Sequence, residues 1–173
     1  MIPDYKLYHG AVLADIVDRC DGSVAIRECV DQGRLLNYVL DDRIGLQIKY
    51  STARLGPWSF SFPAAHVAQL RDLLAVYPQN FVVLVCSMDG FASIPGHLAL
   101  SALNCPEGGN SWLRVTRKKR EMYRVFGPDG EIRLKFHTTS DPIAQALLID
   151  PGHRVDDLND GDSPDVHSER TPP

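Results

Sequence analysis

The chain has 173 residues, 44% of them apolar, and a net charge of −4; that is enough apolar material for one domain to bury about two-thirds of its unfolded surface. No uninterrupted apolar stretch reaches the roughly eighteen residues that cross a bilayer, and the start Met1-Ile2-Pro3-Asp4-Tyr5-Lys6 lacks a basic segment followed by an apolar one, so a cytoplasmic protein with no membrane partner is expected. Residues 1–136 carry 16 Lys/Arg and 14 Asp/Glu while residues 137–173 carry 2 and 8, which separates a slightly basic body from an acidic tail.

A helix is predicted over 8–20, where Leu7, Ala11, Leu13-Ala14 and Val17 recur at helical spacing and Asp21-Gly22 marks a stop. A strand follows over 23–30, then a hairpin of strands 34–40 and 44–51 joined by Asp41-Asp42-Arg43. Pairing Leu40 with Ile44 gathers Leu36, Tyr38, Leu40, Ile44, Leu46 and Ile48 on one apolar face, and a one-residue slip destroys that agreement. The opposite face then shows Leu35, Asn37, Val39, Gly45, Gln47 and Lys49, with Asn37 across from Gln47 on a surface expected to be concave and open to solvent.

Residues 58–62, Trp-Ser-Phe-Ser-Phe, alternate as a short strand whose aromatic side chains belong to the core. Pro63 opens a helix to residue 77, and the apolar run 81–86 reads as a strand buried on both faces. A turn at Met88-Asp89-Gly90 leads to another strand ending near Pro95, and a short helix is predicted over 97–103. Strands 112–116, 122–126 and 131–136 form a meander, with turns at Arg117-Lys118-Lys119-Arg120 and Gly127-Pro128-Asp129-Gly130. One short helix is expected over 142–149, capped by Ser140 or Asp141. The remaining acidic tail has a disordered composition. The expected organisation is one α/β (α+β) domain over 1–136, with a mixed central sheet, followed by a tail over 137–173.

The four cysteines and six histidines are scattered without ligand spacing, so reduced thiols and no transition-metal site are expected. What remains for chemistry is the tripeptide Gln47-Ile48-Lys49 beside Asn37. The order helix, three strands, helix, strand over residues 7–94, together with this Gln-x-Lys pair, resembles the core of the restriction-endonuclease-like nuclease superfamily, the PD-(D/E)XK group. In that family one strand supplies an aspartate and the next an acid followed two residues later by a lysine. The acids hold a divalent cation that activates a water, and the lysine stabilises the attacking oxygen.

The resemblance implies Gln47 and Lys49 as site residues, with Mg²⁺ as the cofactor of a catalytic form. Some branches use Gln at the first position of the pair, whereas Asn37 stands where an aspartate is kept. Neutral amides lack the charge a hard cation needs, so a degraded catalytic site is expected. Asp31, or Asp41-Asp42 in another register, offers one replacement carboxylate, and Asp15 or Asp18 on the first helix offers another.

A second feature is the basic cluster Arg114, Arg117, Lys118, Lys119, Arg120 and Arg124 beside Trp112 and Tyr123. Such a hairpin tip suits a phosphate backbone; as a plain solvated turn it needs no partner. Arg54, in the loop that follows Lys49, suits an anion. The sequence therefore points to a nucleic-acid-associated, DNA-binding protein with a nuclease-like domain. The alternative is a protein-interaction module of a larger bacterial defence or mobile-element assembly, with a protein partner and no catalysis.

Overall fold

The computed structural model describes residues 1–31 and 34–149, with the side chains of residues 30, 31 and 34–36 outside that description. Residues 32 and 33 and the tail expected to be disordered beyond residue 149 therefore lie outside it. Helix α1 (Asp4–Arg19) starts one turn before the apolar periodicity does, with Pro3 as its N-cap and Asp4 in its first turn, where a carboxylate complements the helix dipole. Its apolar stripe buries Val12 and Ile16.

Strands β1 (Ile26–Asp31), β2 (Arg34–Leu40) and β3 (Ile44–Ser51) form an antiparallel meander. The β2–β3 register is the expected one, pairing Leu40 with Ile44, Val39 with Gly45 and Tyr38 with Leu46. Asp41 and Asp42 take the turn at φ 48° and 52°, a region that short polar side chains tolerate. Asp41 is locked there because its Oδ1 accepts the Ala25 amide at 2.7 Å while its own amide donates to the Ala25 carbonyl at 2.8 Å.

Strand β4 (Trp58–Phe62) then leaves this sheet. Helix α2 (Ala64–Val76) carries the chain back to β5 (Asn80–Cys86), which pairs parallel with β3, and β6 (Phe91–Pro95) closes the sheet against β5. Every residue of β5 is buried, as the unbroken apolar run requires. The first sheet therefore has the order β1-β2-β3-β5-β6. After α3 (Gly96–Leu103) come β7 (Ser111–Thr116), β8 (Tyr123–Gly127) and β9 (Gly130–Phe136). These three strands are the expected meander, and β4 joins them to give a second, antiparallel sheet in the order β4-β7-β8-β9. The fold is α+β.

Two cores result. One lies between the first sheet and α1, where Tyr38, Leu40, Ile44, Leu46 and Ile48 meet Val12 and Ile16. The other lies between the sheets and takes in α2 and α3, with Phe60, Phe62, Leu70, Leu84, Ile94 and Leu113 at its centre. The aromatic side chains of β4 are core, as the alternation implies.

The body does not stop at residue 136. Helix α4 (Asp141–Leu148) buries Ile143 completely and adds Ala146 to the first core. Ser140 is its N-cap but makes no side-chain cap of its own. Asp15 of α1 supplies a carboxylate instead, accepting the Ser140 amide at 3.0 Å and the Ser140 hydroxyl at 2.6 Å. Arg19 bridges Asp15 at 2.8 Å and Asp141 at 2.5 Å. The domain boundary drawn from composition therefore moves to the end of α4, because an eight-residue helix with one apolar face can complete a core whatever the charge of the chain around it. Ile143→Ala is expected to cost about 2–5 kcal/mol in urea unfolding; a loss below about 0.5 kcal/mol, the range of surface substitutions, would return α4 to the tail.

Candidate functional site

Side chains alternate along β3, so Gln47 and Lys49 point away from α1, toward α2. This face is covered rather than open. Asn37 and Gln47 are only 7% and 3% exposed, and Leu73 of α2 lies so close to Gly45 that a Cβ there would stand 2.7 Å from its side chain. Gln47 Nε2 donates to the His66 carbonyl at 3.1 Å, while Gln47 Oε1 and Asn37 Oδ1 meet no donor among the described residues.

Lys49 Nζ lies 2.6 Å from Nδ1 of His66 and 4.5 Å from the ring centre of Phe62. An ammonium group has donors only, so the charged Lys49 donates and Nδ1 of His66 accepts. Burial pulls the Lys49 amine down from 10.5 to about 8, since the low-dielectric surroundings disfavour its charged form.

The carboxylates considered from sequence are not gathered here. Asp18 is exposed on α1, on the other side of the sheet. Asp15 is engaged by Ser140 and Arg19, Asp41 by Ala25 and Asp42 by Arg27; the Asp31 side chain is outside the description. Two neutral amide oxygens beside an ammonium do not fit Mg²⁺, a hard dication that wants anionic oxygen. Among the described residues no group of three or more His, Cys, Asp or Glu is placed to hold a metal ion.

The cationic residues converge elsewhere. Because β3 and β5 run parallel with Ser51 beside Cys86, the loops 52–57 and 87–90 leave the sheet at the same end. In mixed α/β sheets this carboxyl end is the usual ligand crevice. A cleft of about 520 Å³ opens there, lined by Arg54, Trp58, Asp89, Thr116, Arg117 and Lys119 among others. Trp58 is 4% exposed and its indole Nε1 donates to the Ala53 carbonyl at 2.8 Å, which holds the Arg54 loop against the core.

Asp89 joins the two sheets at the cleft floor. Its carboxylate accepts Arg117 Nε at 2.6 Å, Arg117 Nη2 at 2.8 Å and the Tyr123 hydroxyl at 2.6 Å. The Arg117 guanidinium, foremost, holds the Asp89 carboxyl below the usual carboxylate range. Burial, and then the Asp89 contact, pushes the Tyr123 phenol far up. Gly90 lets the Thr138 backbone and the Tyr123 hydroxyl come close, because a Cβ there would stand 2.7 Å from the Thr138 carbonyl oxygen and 3.1 Å from the Tyr123 hydroxyl, and the backbone sits at φ 139°.

Arg117 is thus spent on Asp89, and Arg124 on Glu131 at 2.7 and 2.5 Å. Arg114 reaches Ser59 at 3.4 Å and lies over Trp112. Arg54, Lys118, Lys119 and Arg120 are exposed, and their charged groups have no hydrogen-bond or ion-pair partner among the described residues. The sequence offers these four as nucleic-acid contacts, and all four are exposed; it does not single out Asp89 or His66. The signal for Asp89 is its position just beyond a fully buried strand, before a glycine; His66 carries no local signal.

The Lys49 environment sets a pH dependence. The folded state binds this proton less tightly than the unfolded chain, so stability rises with pH between about 8 and 10.5, and the full burial penalty stands below about 8. Urea unfolding across this window should show the parent gaining stability relative to Lys49→Met as pH rises, a difference that leaves out the opposing titration of the buried Cys86 and Tyr123 groups, which burial pushes up; equal slopes would place the ammonium in solvent. No family model, no curated protein and no solved structure matches this chain.

Proposed function

We propose that this protein binds nucleic acid through the cleft at the carboxyl ends of β3 and β5 and the adjoining β7–β8 turn, on a nuclease-like α+β scaffold that does not cut the strand. The observation that carries this reading is the convergence of exposed, unpaired Arg54 and Lys119 on one cleft, with Lys118 on the neighbouring groove that shares Arg117. Cations left unpaired on one rim gain most from a polyanion, since each phosphate they neutralise releases condensed counterions. Asp89 does not oppose an anion there because Arg117 and Tyr123 already satisfy its carboxylate.

The absence of cutting is supported by the surroundings of Lys49, whose ammonium faces His66 and Phe62 rather than a carboxylate. A lysine so placed has no anionic partner with which to hold a cation against a scissile phosphate.

Filter binding of duplex and single-stranded oligonucleotides over a salt series tests binding. Replacing Arg54, Lys118 and Lys119 together by Ala is expected to weaken binding at least tenfold at low salt and to flatten the plot of log K against log salt by about two to three. Indifference to the triple replacement would remove the nucleic-acid reading and leave the protein-interaction module. Plasmid incubated with Mg²⁺ or Mn²⁺ is expected to stay intact. Cleavage that disappears in Lys49→Ala would establish an active nuclease instead.

A further inference from the structure

The second sheet has one face in the core and one open to solvent. On the open face the register lines up Ser59 of β4, Arg114 of β7, Phe126 of β8 and Glu131 of β9, with Trp112 two residues along β7 and Thr116, Arg124 and Lys135 forming the next row. Trp112 is 39% exposed, although a tryptophan so placed on a strand would ordinarily be covered. The guanidinium of Arg114 lies 5.3 Å from the Trp112 ring centre and that of Arg124 lies 5.3 Å from the Phe126 ring centre. Aromatic rings and planar cations thus alternate across the face. Glu131, the acid among these residues, is neutralised by Arg124.

We infer that this open sheet face is a stacking platform for the unpaired bases of a single-stranded nucleic acid, continuous with the cationic β7–β8 turn. The inference rests on the nucleic-acid reading above and deepens it by naming the form of strand. Flat aromatic and guanidinium groups on a sheet surface stack on any exposed base, whereas a duplex presents its bases already stacked on one another. Arg114 and Lys135 on the face, followed by Lys118, Lys119 and Arg120 at the turn, give the phosphates of the same strand a track of opposite charge. Clamping by Glu131 keeps the Arg124 plane over Phe126 without ordering a free side chain on binding, which lowers the entropic cost of the contact.

The test uses the full chain and two single strands of equal length, an oligothymidine and an abasic strand carrying the same phosphates without bases. The oligothymidine is expected to bind roughly tenfold or more tightly than the abasic strand. This ratio should fall to about one in Trp112→Ala and largely recover in Trp112→Phe, with urea unfolding confirming that both variants fold. Tryptophan fluorescence should be quenched by the oligothymidine in the parent protein and much less in Trp112→Phe, since Trp58 is buried.

Equal binding of the two strands, or a ratio unchanged in Trp112→Ala, overturns the platform and leaves the phosphate-binding reading standing. Binding of neither strand at low salt overturns both. Polyglutamate that competes as well as the oligothymidine overturns the platform too, because the face would then be reading charge alone.

Discussion

The parallel pairing of β3 with β5 is the constraint on which the rest of this molecule depends. It brings Ser51 beside Cys86 and so sends two loops out of one end of the sheet. One loop carries Arg54 and the other carries Asp89. A parallel pair needs a long crossover, and here the crossover does two jobs: β4 is handed to the second sheet and α2 is laid over the first. Cleft, covered amide face and inter-sheet core are therefore consequences of one strand pairing.

Asp89 converts that arrangement into a joined structure. Its carboxylate is the shared acceptor for Arg117 and Tyr123, which stand at either side of the β7–β8 turn. A tyrosine hydroxyl buried with its ring must find a partner, and an arginine half-covered by the core must be neutralised. One side chain satisfies both needs. The cost is that Arg117 is withdrawn from ligand binding, so the positive field at the cleft comes from its exposed neighbours.

The two faces of the first sheet show how little a polar pattern says about exposure. Tyr38, Leu46 and Ile48 are buried against α1, as apolar residues should be. Asn37 and Gln47 alternate with them and are buried as well, with Lys49 half-buried, because α2 packs where solvent was expected. The burial of Lys49 is offset by the Phe62 ring and the His66 imidazole, neither of which carries a full negative charge. Such a lysine is poorly suited to holding a metal site together, and well suited to fixing α2 against β3.

Local pattern by itself determined the elements, the three-residue turn at Asp41-Asp42-Arg43 and the hairpin register, since a slip of one residue would have turned every apolar side chain of β2 and β3 to the wrong face. It likewise marked β5 as doubly covered and the residues after Val115 as a basic turn, because burial and charge are written in neighbouring residues. Only the tertiary structure decided that β4 pairs with β7, Phe62 beside Ser111 and Trp58 beside Val115, that α4 belongs to the core, that Asp18 lies on the far side of the sheet from Lys49, and that Asp89 meets Arg117. Those outcomes turn on which apolar faces find each other at long range, and a strand of alternating Trp, Ser and Phe carries the same local signal whichever sheet it joins.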